Sequence, residues 1–161
     1  MPRRRCRARC HLWSTGFTVL EVVIVMATIA VLATMAVPAF ERYRERARVF
    51  QAASDIGAMS LSIQRHAEDN RAFPDTLDEV GLAGRTDPWG RAYRYRNLSD
   101  EKGKGGARKD GRLNPLNSDF DLYSVGKDGE TALPLPPPVS HDDVVRARNG
   151  RFIGLAKDFD P

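Results

Sequence analysis

Residues 17–40, FTVLEVVIVMATIAVLATMAVPAF, form an apolar run of 24 residues with one formal charge, Glu21. As a helix rising 1.5 Å per residue the run is about 36 Å long, enough to cross roughly 30 Å of hydrocarbon. It is read as a transmembrane helix, which makes membrane lipid the first partner of the chain. A cleaved signal peptide is the plainer alternative, with a small-residue cut near Val37-Pro38-Ala39. Three features oppose it: the run exceeds a 7–15-residue apolar region, Glu21 lies inside it, and Pro38 sits beside the cut. A carboxylate in the bilayer centre costs about 2.5–3.5 kcal/mol, so Glu21 needs a partner or a reason.

Charge is distributed unevenly around this run. The chain of 161 residues has 25 Lys and Arg against 21 Asp and Glu, a formal +4. Five of the arginines (Arg3, Arg4, Arg5, Arg7, Arg9) precede Gly16 with no acid among them. Without that leader, 20 basic residues face 21 acidic ones, a net charge of −1. The basic character belongs to the leader, and its place before the apolar run agrees with the positive-inside bias. Both cysteines, Cys6 and Cys10, also precede Gly16, so the rest of the chain has no disulfide to stabilise it in an oxidising compartment. Their C-x3-C spacing, with His11 alongside, is not the usual zinc pairing.

Gly16, Phe17, Glu21 and Pro38, behind a basic leader, carry a resemblance. The segment GFTVLEVVIVMATIAVLATMAVPAF resembles the N-terminal signature of the type IV pilin and pseudopilin family. The resemblance implies cleavage between Gly16 and Phe17 by a prepilin peptidase, which also methylates the new Phe17 amine, and assembly through Phe17, Glu21 and Pro38. It further implies that the Glu21 carboxylate pairs with the Phe17 ammonium of a neighbouring subunit, so that neither charge is buried alone. The other reading of Glu21 is a side chain near the interface that snorkels to water.

Beyond Pro38, which removes an amide donor and frees the Thr34 carbonyl, a kink or local melting is expected. The helix then resumes through residues 41–70, where Val49, Ala52, Ala53, Ile56, Met59, Ile63 and Ala67 recur at three-to-four spacing. This stripe is too short and alanine-rich for a coiled-coil seam and suits packing onto the chain's own globular part, residues 71–161. There, a short helix is expected at residues 76–80, capped by Asp75 or Thr76 and stopped by Gly81. Asp87-Pro88-Trp89-Gly90 reads as a turn, residues 91–96 and DFDLYSVG as an antiparallel strand pair, and RFIGLA as a possible added strand. The fold class is α+β, a long N-terminal helix on a small antiparallel sheet, as in type IV pilins.

Composition and motifs argue against enzymes and nucleic-acid partners. Outside the leader only His66 and His141 remain as imidazoles, no H-E-x-x-H or G-x-S-x-G occurs, and no nucleophile completes a triad with His141 and Asp142. His66 is read as a solvent-facing side chain, and no catalytic residue is assigned. The loop SDEKGKGGARKDGR contains Lys102, Lys104, Arg108, Lys109 and Arg112 without interleaved aromatics. It is read as a solvated loop, neither a nucleic-acid patch nor a phosphate cradle.

The segment at residues 119–143 concentrates Asp119, Asp121, Asp128, Asp142 and Asp143 in turn-rich sequence. Calcium takes six to eight hard oxygens, but clustered aspartates serve equally as solvated turn and cap residues, and EF-hand spacing is absent. DPWG, DLYSVGKDG and HDD together are similar to the major pseudopilins of type II secretion, which bind calcium in this loop. By position, that resemblance implies ligands at the Val125 carbonyl, Asp128, the Ser140 carbonyl, Asp142 and Asp143. The proline-rich ETALPLPPPVS departs from the glycine-rich stretch of that family. The function implied is that of a structural subunit: a single-pass protein of the bacterial inner membrane with its C-terminal part in the periplasm. It would polymerise with itself and with other pseudopilins, driven by an inner-membrane platform and a cytoplasmic ATPase, to push folded proteins through the outer membrane. A type IV pilus or DNA-uptake pilin is the alternative within the family. A membrane-anchored periplasmic binding module that never polymerises is the alternative from another class.

Overall fold

The computed structural model describes residues 16–99 and 105–160, in two compact units that divide after Glu41. The leader before Gly16, with its arginines and cysteines, lies outside the described residues, as do Lys102 and Lys104.

In the first unit Gly16, Phe17 and Thr18 are non-helical, and helix α1 (Val19–Asn70, 52 residues) begins after them. The apolar side chains of this unit face outward: Phe17 is 81% exposed, Leu20 70% and Met35 73%. Among the described residues, α1 is the helix long and apolar enough to cross a membrane. The local melting expected at Pro38 does not occur, because α1 is continuous through it. The missing amide removes one ladder bond, which the neighbouring turns tolerate.

In the second unit the 3.6-residue stripe of α1 does what its spacing predicts. Ala52, Ile56, Met59 and Ile63 are all fully buried. They pack on a four-stranded antiparallel sheet, β1 (Arg94–Asn97), β2 (Phe120–Ser124), β3 (Val144–Ala147) and β4 (Phe152–Leu155), arranged in sequence order. Alternation along the strands sends Phe120, Leu122 and Val144 to the helix side, where Tyr93 joins them. Each such apolar side chain contributes about 1.5–3 kcal/mol by leaving water. The rings of Phe73 and Tyr95 pack at 5.5 and 5.8 Å from Phe120. Tyr93 Oη donates to Asp55 Oδ2 at 3.0 Å, tying the segment before β1 to α1.

The opposite side of the sheet is also covered. Val145 and Ala147 pack with Leu116, Leu135 and Ala156, and Tyr123, Phe152 and Phe159 flank them. Both faces of β2 are therefore closed, and four of its five residues are buried. The expected short helix is a 3-10 turn, Leu77–Val80, ending at Gly81 in the left-handed region. Thr76 precedes it without a side-chain capping bond, which corrects that expected cap, while Gly81 stops the turn as expected, its amide on the Asp78 carbonyl. β3 was not anticipated, and it joins the expected β2 to the expected β4.

Candidate functional site

The first group of residues lies at the start of α1. Thr18 Oγ1 accepts the amide of Glu21 at 3.2 Å, so Thr18-Val19-Leu20-Glu21 works as a helix cap in the T-x-x-E pattern. That signal was present in the sequence and gives Glu21 a local reason for its place, since an acid in the first turn faces the positive end of the helix dipole. The Gly16–Phe17 peptide lies ahead of this cap, in non-helical chain. Pro38 is exposed within the first unit, on the continuous part of α1.

The second group joins the two motifs DPWG and DLYSVGKDG. The Asp87-Pro88-Trp89-Gly90 turn closes with the Gly90 amide on the Asp87 carbonyl at 2.9 Å. The buried Asp87 carboxylate accepts the amides of Trp89 and Arg91 at 3.0 and 2.8 Å and the hydroxyl of Ser124. Ser124 Oγ in turn accepts the Gly126 amide at 3.1 Å, and Arg91 Nη1 donates to the Gly126 carbonyl at 2.7 Å. Gly126 sits at φ 66°, where a Cβ would run into the main chain and carboxylate of Asp142. Only glycine meets both demands at this position. The turn continues onto Asp142, whose Oδ2 accepts the amides of Lys127 and Asp128 at 2.7 and 2.9 Å.

A third group fills the space beside the start of β3. Arg108, which sequence reading placed in a solvated loop, is 2% exposed. That reading is corrected by its partners. Nη2 donates to Asp143 Oδ2 at 2.6 Å, Nη1 donates to Thr131 Oγ1, and the guanidinium lies 4.4 Å from the centre of the Tyr123 ring. Thr131 Oγ1 also donates to Asp143 Oδ2 at 2.6 Å. The amide of Arg108 donates to Asp121 Oδ2 at 2.6 Å, and Asn117 Nδ2 donates to Asp121 Oδ1 at 2.9 Å. Burial pushes the Asp143 carboxyl above the usual carboxylate range, and Thr131 and Arg108 pull it partly back. Burial acts the same way on Asp121, against the Arg108 amide and Asn117. A second buried arginine, Arg146 on β3, binds Asp119 through both nitrogens at 2.8 and 2.6 Å and lies 4.0 Å above the Phe120 ring.

This geometry bears on the five residues aligned with calcium ligands. Val125 and Asp143 lie just past the paired ends of β2 and β3, side by side, and both are buried. Asp128 is exposed, with Oδ1 accepting the Glu130 amide. Asp142 is occupied by two amides, the Ser140 carbonyl accepts the Asp143 amide at 3.2 Å, and Asp143 is paired with Arg108. One buried carboxylate oxygen in this set, Asp143 Oδ1, is left without a partner. Among the described residues no three carboxylate, imidazole or thiolate side chains gather as metal ligands. As arranged, the donors do not fit a cage of six to eight oxygens.

The two histidines stand apart from these groups. His66 is half-buried and not solvent-facing as expected, with Nε2 4.0 Å from Glu79 Oε2. His141 is exposed and its ring contacts the Pro136 carbonyl at 2.9 Å.

No protein-family model matches the chain, and no solved structure matches it significantly. Curated relatives do. The type II secretion system core protein G of Vibrio cholerae is 31% identical over 136 residues, covering 72% of this chain and 82% of the relative. The protein of the same name from Klebsiella pneumoniae is 29% identical over 136 residues, covering 80% and 91%. A type IV major pilin protein PilA from Myxococcus xanthus is 30% identical over 81 residues, covering 50% of this chain and 36% of the pilin. Similarity to the first two over most of the chain leads to one conclusion: this chain belongs to the type II secretion system core protein G family, with a type IV pilin-like fold.

Proposed function

We propose that this chain is the major structural subunit of the periplasmic pseudopilus of a bacterial type II secretion system. In this reading prepilin peptidase cuts between Gly16 and Phe17 and methylates the Phe17 amine. The subunit waits in the inner membrane on residues 17–40 and then polymerises with its own copies and other pseudopilins. An inner-membrane platform and a cytoplasmic ATPase drive assembly. Work on the exported protein is mechanical, with no bond made or broken by this chain.

One observation carries the reading. The apolar side chains of residues 17–40 are outward-facing, from Phe17 at 81% exposure to Val37 at 57%, and Glu21 is the formal charge among them. A surface of that kind needs lipid or further apolar helices around it. In a filament Glu21 pairs with the Phe17 ammonium of a neighbour, which offsets the burial of both.

Intact mass of the isolated protein tests the processing: a chain beginning at methylated Phe17 is expected, and one beginning at Met1 or near Phe40 refutes it. Glu21→Gln is expected to leave cleavage intact and to abolish incorporation into filaments when co-expressed with the secretion machinery. Deletion of the gene separates the two systems. Loss of exoprotein secretion with normal surface fibres supports secretion, and the reverse result supports a pilus.

A further inference from the structure

We propose that the guanidinium of Arg108 is the resident cation of the loop at residues 125–143, in place of a bound calcium ion, and that the second unit folds without calcium.

One positive and one negative charge meet here inside the chain, with Arg108 Nε and Asp143 Oδ1 left as the buried atoms without a partner. Asp143 has a fully buried side chain and Arg108 is 2% exposed, so neither can draw on water for compensation. A planar guanidinium offers several donors in fixed directions. Here one nitrogen donates to Asp143 and another to Thr131, while the Thr131 hydroxyl donates a hydrogen bond to the same Asp143 oxygen. The result is a three-membered ring of contacts linking residue 108 to residues 131 and 143. An ion in this loop would hold the turn after β2 to the start of β3. The arginine reaches the same two ends by covalent attachment to a third segment, whose backbone is itself fixed through the Arg108 amide on Asp121 Oδ2. The guanidinium lies over the Tyr123 ring, 4.4 Å from its centre, a cation–π contact that adds to its fixation.

The other two carboxylates among the expected ligands are turned to other tasks. Asp142 caps the amides of Lys127 and Asp128, and Asp128 closes its own turn on Glu130. Arg91 supplies a second fixed cation, on the Gly126 carbonyl. Against six to eight oxygens for calcium, the buried carboxylates leave one unpartnered oxygen, Asp143 Oδ1. A divalent ion placed there would also meet the guanidinium charge at close range.

The inference does not rest on the assembly reading, because it is tested on the full chain as a monomer in detergent. Thermal unfolding is followed in calcium chloride and in EGTA, with calcium titrated calorimetrically. The expected result is the same melting temperature in both and no saturable heat. Arg108→Met is expected to raise the unfolding constant roughly a hundredfold or more by leaving the Asp143 charge buried without a cation, and Arg108→Met with Asp143→Leu to recover most of that loss. Calcium that raises the melting temperature of the wild-type chain by several degrees, and does so no longer in Asp143→Asn, overturns the proposal. So does an Arg108→Met chain as stable as the parent. If Arg108→Met fails to fold, the comparison of calcium with EGTA on the wild-type chain still decides.

Discussion

The Asp119–Arg146 pair offers a prediction with a direction that the geometry sets. Both carboxylate oxygens and both terminal nitrogens are engaged, at 2.8 and 2.6 Å, and Arg146 Nη1 also donates to the Phe120 carbonyl at 3.0 Å. The two side chains are unequally wet: Arg146 is 0% exposed and Asp119 16%. Breaking a buried pair by truncating one partner destabilises by about 3–5 kcal/mol, most of it the penalty on the charge left behind. Asp119→Ala strands a fully buried guanidinium whose Nε already lacks a partner. It should fall near the top of that range, about 4–5 kcal/mol. Arg146→Met strands a carboxylate that water reaches and whose Oδ1 also accepts the Phe120 amide at 2.7 Å. It should fall near the bottom, about 3 kcal/mol, the methionine keeping contact with the Phe120 ring. Urea unfolding of a detergent-solubilised chain beginning at Phe17, in which Trp89 is the tryptophan fluorophore, measures both. An Arg146→Met loss equal to or larger than that of Asp119→Ala would refute the reasoning, because exposure would then not decide which charge is worse to strand.

Two further outcomes follow from residues already placed. Gly126→Ala should destabilise by more than about 1 kcal/mol in the same assay, since the backbone is left-handed and Asp142 occupies the space of the new methyl; a neutral effect would mean that the turn moves freely. Asp121 should give a pH-dependent difference between the wild-type chain and Asp121→Asn. Burial raises its folded carboxyl above the ordinary aspartate value, so from that ordinary value up to the raised one the folded state holds a proton that the unfolded state has lost. The stability it contributes is then greatest below the ordinary value and declines as pH rises through the folded one. The difference should be largest in acid and shrink toward neutral pH, and a difference that grows with pH would contradict the burial of this group.

How much of this was legible in the sequence depended on the distance over which each signal acts. The helix stripe at Ala52, Ile56, Met59 and Ile63 was legible because its period is local. So were β2, the Asp87 turn and β4, each marked by alternation or by turn residues within a few positions. β3 was missed because Val144-Val145-Arg146-Ala147 has a charge at a buried position, and the partner that makes this tolerable, Asp119, lies 27 residues away. Arg108 was misread for the same reason. In the sequence it belongs to a run of lysines, arginines and glycines, and its carboxylate is 35 residues downstream. The motifs DPWG and DLYSVGKDG were recognised by resemblance, but their common purpose was not. It lies in the contacts of Asp87, Arg91 and Ser124, which converge around Gly126.

The Thr18 cap bears on how the leader can be removed. Proteolysis needs an extended substrate that the enzyme can grip on both sides of the bond, and a helical segment must first be unwound. By ending the hydrogen-bonded ladder at residue 18, the threonine leaves the Gly16–Phe17 bond on free chain while every turn after it stays formed. On the proposed reading a peptidase can reach that bond with the rest of the helix undisturbed. Such a cut would create a positive amine within two residues of the positive end of the helix, where the dipole repels it. The end group would then gain by leaving its own helix for a carboxylate on another.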